Sequence, residues 1–300
     1  MYESRKLENN LGYNKDYKNL KVLIVATMSS GKSTLINALL SKKLLPSSNR
    51  ACTATITKVI NKNQKNYYAK AYSDKKELIC EEFDISYEKM KEWNEDENIS
   101  EIEIFGEIPF ANKKDILNLT LIDTPGPNNS QNIEHQNKIE GYFKHIDENT
   151  VILYVLNATQ LGIIDDSSLL DNLIKNVGTN SKDIIFVLNK LDCYGDDDDI
   201  LETMIEIQKY IEKKGINNPN IFPLAALPAL LIRIESQSKR QEQKKDNYID
   251  IMNIDKNLHL EKYSVMKNEN NKLKNMSDKE KALFHTGIHM LENKIIESRR

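Results

Sequence analysis

Three short runs in the chain each set chemistry-bearing residues at the end of an apolar stretch. The first, residues 21–34, reads KVLIVATMSSGKST and leads into LINALLSKK. A buried strand, a Ser/Gly loop and a helix in that order turn backbone N–H groups and a positive helix end toward one point, which suits phosphate. Ser29, Ser30, Gly31 and Thr34 belong to that loop and helix start. Lys32 would reach the β- and γ-phosphates, and the Ser33 hydroxyl would ligate Mg2+. The usual pattern is G-x-x-x-x-G-K-[ST], and here Ala26 stands where the first glycine belongs. Taken alone, a Ser/Gly-rich loop before a helix is also a common turn.

Two later runs change that balance. Asp123-Thr124-Pro125-Gly126 closes the apolar segment LNLTLI, and Asn189-Lys190-Leu191-Asp192 closes IIFVL. Both fall at the carboxyl ends of expected parallel strands, where ligands bind in an open α/β sheet. Either tetrapeptide alone is an ordinary accident in a chain rich in Lys, Asn and Asp; three motifs in this order, each at a strand end, are not. Asp123 would hold Mg2+ through water, and the Gly126 N–H could meet the γ-phosphate with no Cβ in the way. Asp192 offers two acceptor oxygens that match N1–H and the exocyclic amine of guanine, a donor pair adenine lacks. Asn189 would bond the purine edge, and the aliphatic stem of Lys190 would cover the base. The nucleotide these residues fit is GTP, with GDP left after hydrolysis.

Such residues need an alternation of buried strands and helices to position them. Leu35/Leu39 and Ile36/Leu40 stack at i, i+4 as the core stripe of a first helix. Ala54 to Ile60 begins a strand after the loop LLPSSN, and YYAKAY and ISEIEIF look like further strands. The acidic piece 81–98 between them reads as an exposed helix or excursion, with Trp93 as its packing anchor. LNLTLI, VILYVLNAT and IIFVL read as buried parallel strands, with helices near 131–147, 165–177 and 198–214, and NIFPLAAL as the last strand. The fold class expected is α/β, a P-loop GTPase fold with a mostly parallel central sheet flanked by helices. Residues 1–19 form an N-terminal arm and 20–300 one nucleotide domain. Within it, about 235–282 is a polar, partly helical insertion and about 286–300 a closing helix.

The 300 residues carry a net charge of −3, which gives nucleic acid no reason to be the main partner. Cys52, Cys80 and Cys193 are odd in number and far apart, pointing to free thiols in a reducing compartment. The first ten residues lack an apolar leader core, and the longest apolar stretch, 221–232, is too short for a bilayer and holds two prolines. The expectation is a cytoplasmic protein, with a peripheral place on a membrane left open. His285 and His289 are four apart, but Gly287 lies between them and no third ligand is evident, so packing or surface roles are favoured. Asp196 to Asp199 read as a helix cap rather than a cation site. The Lys/Arg/Gln-rich stretch near 238–245 reads as a solvated face.

With those motifs in place, the chain resembles the GTPase domain of bacterial dynamin-like proteins. The residues that carry the resemblance are ATMSSGKSTLINALL, LLPSSNRACTATIT, LIDTPGP, VLNKLD and FPLAALPALL, covering roughly 20–232, together with the TGI helix at the end. The resemblance implies that Thr53 (or, as an outside alternative, Thr55) is the switch residue closing on Mg2+ and the γ-phosphate. It implies that Ser29 binds a charge-compensating monovalent cation, K+ or Na+, which offsets charge on the β–γ bridging oxygen. It also implies a homodimer across the nucleotide face, rapid basal GTP hydrolysis, and membrane remodelling through parts absent from this chain or through a partner.

Three departures qualify this. Met28 stands where eukaryotic dynamins carry a Gln that places the attacking water, and a thioether cannot donate that bond. Ala225-Ala226 replaces Ser-Ala beside the guanine oxygen, a contact expected from a backbone N–H. A long stalk and membrane tip do not follow, so the chain is either part of a longer protein or a minimal GTPase. Two rival readings remain: an Era/septin-like GTP switch that binds a protein or RNA, and an assembly module that binds GTP and barely hydrolyses it.

Overall fold

The computed structural model describes residues 19–26, 29–46, 55–112, 118–125, 141–143, 146–160, 164–178, 184–195, 197–235 and 276–298. Its strands are β1 (Leu20–Ala26), β2 (Ile56–Asn61), β3 (Tyr68–Tyr72), β4 (Leu78–Glu82), β5 (Glu101–Gly106), β6 (Leu119–Asp123), β7 (Thr150–Asn157), β8 (Ile184–Asn189) and β9 (Asn220–Pro223). The helices are α1 (Lys32–Leu40), α2 (Tyr87–Glu95), α3 (Pro109–Asn112), α4 (Ile164–Val177), α5 (Ile200–Lys213), α6 (Ala226–Glu235), α7 (Asp278–His285) and α8 (Ile288–Glu297).

The strands form one sheet in the order β4-β3-β5-β2-β6-β1-β7-β8-β9. From β6 to β9 every pairing is parallel, with Ile24 opposite Asp123 and Asn157 opposite Asn189 at the carboxyl ends. Every residue of β7 and β8 is buried, as a strand covered by helices on both faces requires. One cluster packs α1, α2, α6 and α8 on the first face through Leu35, Trp93, Ala229 and Leu291. A second packs α4 and α5 on the other through Leu170, Leu173, Ile207 and Ile211. The α/β fold with a mostly parallel sheet is therefore as expected.

The half beyond β6 is more mixed than the sequence suggested. β2 runs antiparallel to β6 and parallel to β5, and β3 is antiparallel to both β5 and β4. The edge strand β4 was not foreseen, because LICEE has one apolar pair and no alternation. It pairs with β3 through a register shift at Ala71/Tyr72. The acidic piece does contain a helix, α2, capped by Ser86 and buried only through Met90 and Trp93. Trp93, 3% exposed, is the anchor expected.

At the other end, α6 follows β9 directly, with Pro228 in its first turn, where a missing N–H leaves no bond unmade. Helix α7 begins inside the stretch read as an insertion, closed by a Ser277–Glu280 capping box, and Ala282 on it is fully buried. Gly287 links α7 to α8 with φ 82°, and a Cβ there would stand 2.3 Å from the Pro223 carbonyl oxygen. Between the helices, Glu292 is 5% exposed. The Arg233 Nη1 lies 2.7 Å from its Oε1, a charge pair not aligned as a hydrogen bond, and His289 Nδ1 lies 3.1 Å from its Oε2. The same Arg233 nitrogen donates to the Ala38 carbonyl at 2.6 Å, tying α6 to the last turns of α1. The arm at 1–18, the 238–245 stretch and Cys52 lie outside the described residues.

Candidate nucleotide-binding site

β1 delivers the chain to the phosphate loop. Ala26 is its last residue, 1% exposed and paired with Val155 in extended backbone. An alanine where the pattern has glycine therefore costs no conformational strain. The turn is made further on, where Ser29 takes φ 58° and Gly31 φ 84°. A Cβ on Gly31 would stand 2.5 Å from the Asn189 Nδ2, so this position has room only for glycine. Ser29 is exposed and Ser30 1% exposed. Helix α1 starts at Lys32, with Ser33 and Thr34 half-buried in its first turn.

Lys32 reaches across to the carboxyl end of β6. Its Nζ donates to the Asp123 Oδ1 and to the Thr124 carbonyl, and both charged side chains are largely shielded from solvent, 14% and 16% exposed. Thr124 is anchored in turn, its hydroxyl donating to the Ile24 carbonyl at 2.8 Å. The first two motifs are thus one constellation: β6 pairs with β1, and the lysine of one loop meets the carboxylate of the other. Hard oxygen donors, the Ser33 hydroxyl and the Asp123 carboxylate, suit Mg2+, and the fold sets them on adjacent elements. The Asp123 carboxylate is held by Lys32 here, so it would have to exchange that partner to serve a cation.

The third motif closes the site from β8. Asn189, 2% exposed, donates its amide to the Ser30 carbonyl at 2.8 Å and accepts from the Ala226 N–H at 3.1 Å. Lys190 takes φ 70° and turns the chain, leaving its Cε 3.9 Å from a Cβ built on Gly31. Asp192 follows in a short 3-10 turn, Leu191–Cys193, with burial pushing its carboxyl above the ordinary aspartate range. The segment after β9 is fastened on every side. Leu224 N–H donates to the Leu188 carbonyl at 2.9 Å, and Ala225 N–H to the Thr286 carbonyl at 3.0 Å.

That fastening bears on one expectation. The N–H groups of both Ala225 and Ala226 are engaged inside the protein, by Thr286 and Asn189, and neither is presented to a guanine oxygen as it stands. Thr55, the outside alternative for the switch residue, is 7% exposed and donates its hydroxyl to the Ile99 carbonyl at 3.0 Å, a bond that joins the start of β2 to β5. Thr53, Gly126 and Met28 lie outside the described residues.

Two contributors escaped the sequence reading. Asn157, at the end of β7, donates its amide to the Ser29 carbonyl at 3.3 Å. Thr286, fully buried, supplies the carbonyl that holds Ala225. The signal for Asn157 was a lone amide at the end of an eight-residue apolar strand; for Thr286 there was none beyond its place before a glycine. Asp199 caps α5 by accepting from the Leu201 and Glu202 N–H groups, and Asp198 accepts from Gly195, as a helix start expects. His289 is spent on Glu292, and His285 lies edge-on to Phe284.

The sequence profile of the dynamin family matches residues 22–191, more than half of the chain, taking in the phosphate loop, the DTPG run and the third motif as far as Leu191. The chain is 28% identical over 233 residues to an uncharacterized protein in the xynA 3'region of Caldicellulosiruptor sp., covering 77% of this chain and 54% of that one. It is 25% identical over 246 residues to the bacterial dynamin-like protein of Nostoc punctiforme, covering 72% and 34%. The chain thus spans about half, or less, of the length of these curated relatives. Among solved structures, its fold is similar to that of an oligomerised bacterial dynamin pair described as a mechanism for long-range sensing and tethering of membranes. There the TM-score is 0.57 at 16% identity, over 98% of this chain and 44% of that one. With its phosphate loop, its β6-end aspartate and Asn189 and Lys190 inside the matched segment, the chain belongs to the dynamin family.

Proposed function

We propose that this chain is a dynamin-type GTPase domain that binds GTP in the cleft at the carboxyl ends of β1, β6 and β8 and hydrolyses it to GDP and phosphate. The observation that carries the reading is the convergence of the three motifs. Lys32 from the first meets Asp123 from the second, and Asn189 from the third bonds the loop that begins the first. Phosphate chemistry of this kind asks little of covalent catalysis and much of positioning and charge.

Each residue then has a task. Lys32 leaves Asp123 and pairs with the β- and γ-phosphates. Ser33 and Asp123, with Thr53, would hold Mg2+, which would supply charge neutralisation to the phosphates. Gly126 offers its N–H to the γ-phosphate. Ser29 would help hold a monovalent cation, which would supply charge compensation to the phosphates, and Asp192 selects guanine. The loop N–H groups of Ser30 through Thr34 cradle the phosphates. Two such domains meet across the nucleotide face, and membrane work is carried by parts of a longer protein or by a partner.

The test is phosphate release by the purified chain with Mg2+ and either GTP or ATP, measured across a range of protein concentrations. GTP-specific turnover that rises per molecule with concentration is the expected result. Equal use of ATP and GTP would overturn the assignment of the base pocket, and GTP binding without turnover would mean an assembly module instead.

A further inference from the structure

Asn157 does something that no motif assigns. It sits at the end of β7, 2% exposed, directly opposite Asn189 in the parallel β7–β8 pairing. These two asparagines, on neighbouring strands, donate their amides to consecutive carbonyls of the phosphate loop. Asn157 Nδ2 bonds the Ser29 oxygen at 3.3 Å, and Asn189 Nδ2 bonds the Ser30 oxygen at 2.8 Å. The fit is geometric: neighbouring strands lie about 4.8 Å apart and consecutive residues about 3.8 Å, so paired side chains can meet successive residues of a loop crossing above them.

The plainer account of Asn157 is that it caps its own turn. Its Oδ1 accepts from the Thr159 N–H at 3.1 Å and the Thr159 hydroxyl at 2.8 Å, which starts the 3-10 turn Ala158–Gln160. That accounts for the oxygen only. The amide is shared between the Gln160 Oε1 of the same turn, at 3.1 Å, and the Ser29 carbonyl of the phosphate loop, at 3.3 Å. A helix or turn cap needs no donor aimed at a loop 128 residues away.

Ser29 gives that donor a purpose. It carries a Cβ yet holds φ 58°, a left-handed backbone state that is unfavourable for a residue with a side chain and persists where its surroundings hold it. The turn itself is braced against the base-binding loop, since the Tyr194 hydroxyl donates to the Ala158 carbonyl at 3.0 Å.

We infer that Asn157 is a positioning residue for the phosphate loop, holding Ser29 in its left-handed turn as the partner of Asn189. The inference rests on the reading that this loop binds a guanine nucleotide. Asn157→Asp separates the two halves of the side chain: it keeps the shape and the acceptor oxygen for Thr159 but removes the amide donor. GDP affinity in that variant should fall roughly ten- to a hundredfold at neutral pH, the cost of replacing a buried bond with two facing oxygens. As the pH falls and the buried carboxyl takes up a proton, it can again donate to Ser29, so the ratio of variant to wild-type affinity should climb back toward one.

A cap through Oδ1 alone would not produce that recovery, and Gln160→Leu, which removes only the amide's partner within the turn, should leave GDP affinity unchanged. Affinity within twofold of wild type at every pH, in a variant that melts normally, overturns the proposal. If the variant does not fold, a crystal structure of the wild-type chain with GDP decides: Asn157 within hydrogen-bond reach of Ser29 supports the role, and an Asn157 turned away refutes it. Wild-type protein that binds no GDP would instead remove the functional reading beneath it.

Discussion

The two halves of this one sheet are built to different rules. From β6 to β9, strands run parallel and are buried on both faces, β7 and β8 without a single half-exposed residue. From β2 to β4, residues alternate: β3 reads half-buried, buried, half-buried along Tyr68 to Tyr72. One face there joins the core through Ala69, Ala71, Ile102 and Ile104. The opposite face carries Tyr68, Lys70, Glu103 and Phe105 in register, a polar and aromatic ladder. The difference locates function. Parallel strands present all their carboxyl ends at one edge, so loops from β1, β6, β7 and β8 meet there. Antiparallel neighbours alternate their ends and gather nothing comparable.

The first way to break this comparison is at the centre of the parallel half. Lys32→Ala removes the fixed cation that pairs with Asp123 here and with phosphate under the proposed function. GTP turnover should fall by at least about a thousandfold, with most of the affinity lost as well. Phosphate release and nucleotide titration check this directly. A variant turning over GTP at near the wild-type rate would mean that the site lies elsewhere.

Next in size is the base. Asp192→Asn swaps an acceptor for a donor, so preference should move from GTP toward xanthosine triphosphate by roughly a thousandfold or more. Its pH dependence has a definite sign. Burial raises the Asp192 carboxyl, and guanine needs the ionised form, so affinity for GTP should weaken as the pH falls through that raised value. The unliganded fold behaves oppositely: holding this charge costs stability at neutral pH, and the cost disappears on acidification. Competition binding followed as the pH is lowered from neutral should show a slope in wild type that Asp192→Asn flattens.

A third effect acts on the scaffold behind α1. Removing Arg233 as Arg233→Met leaves Glu292 buried without its guanidinium, at a cost of about 3–5 kcal/mol, read as a melting temperature lower by roughly 5–10 °C. Burial by itself would raise the Glu292 carboxyl, but His289 and Arg233 together hold it below the usual range. Stability from this group is therefore present above the ordinary glutamate value and lost as the pH falls through the lowered one. An acid-unfolding midpoint that is the same in wild type and Glu292→Gln would remove this cluster from the account.

How much of this was legible depended on the same division. In the parallel half, continuous apolar runs ending in DTPG and NKLD gave strand, end and residue at once, because burial on both faces leaves an unbroken signal. The antiparallel half gave β5 through its alternation but hid β4, whose Leu78 and Ile79 are exposed at the edge. Contacts made by ordinary residues were invisible. Nothing in the type of Asn157 or Thr286 announces that one holds Ser29 and the other Ala225, because such roles come from register between distant strands. The internal partners of the Ala225 and Ala226 N–H groups were hidden for the same reason.

The smallest effect is the sharpest test of the division. Glu101, 5% exposed at the start of β5, accepts from Lys58 Nζ at 2.7 Å and from Lys76 Nζ. Burial pushes its carboxyl up, and the two lysines more than offset that, leaving it lowered. Glu101→Gln keeps the shape and loses the charge. Because Lys76 is 65% exposed and screened, the loss should be only about 1 kcal/mol, seen as a small shift in denaturant midpoint. This contribution, too, is present above the ordinary glutamate value and fades as the pH falls through the lowered one, so the difference between variant and wild type should shrink in acid. GTP turnover should not change. The two halves do share one seam, where Thr57 of β2 stands opposite Asp123 of β6. A fall in turnover without a matching loss of stability would mean that strain in the ladder reaches Asp123 through that seam, and that the antiparallel half is part of the catalytic machine rather than its support.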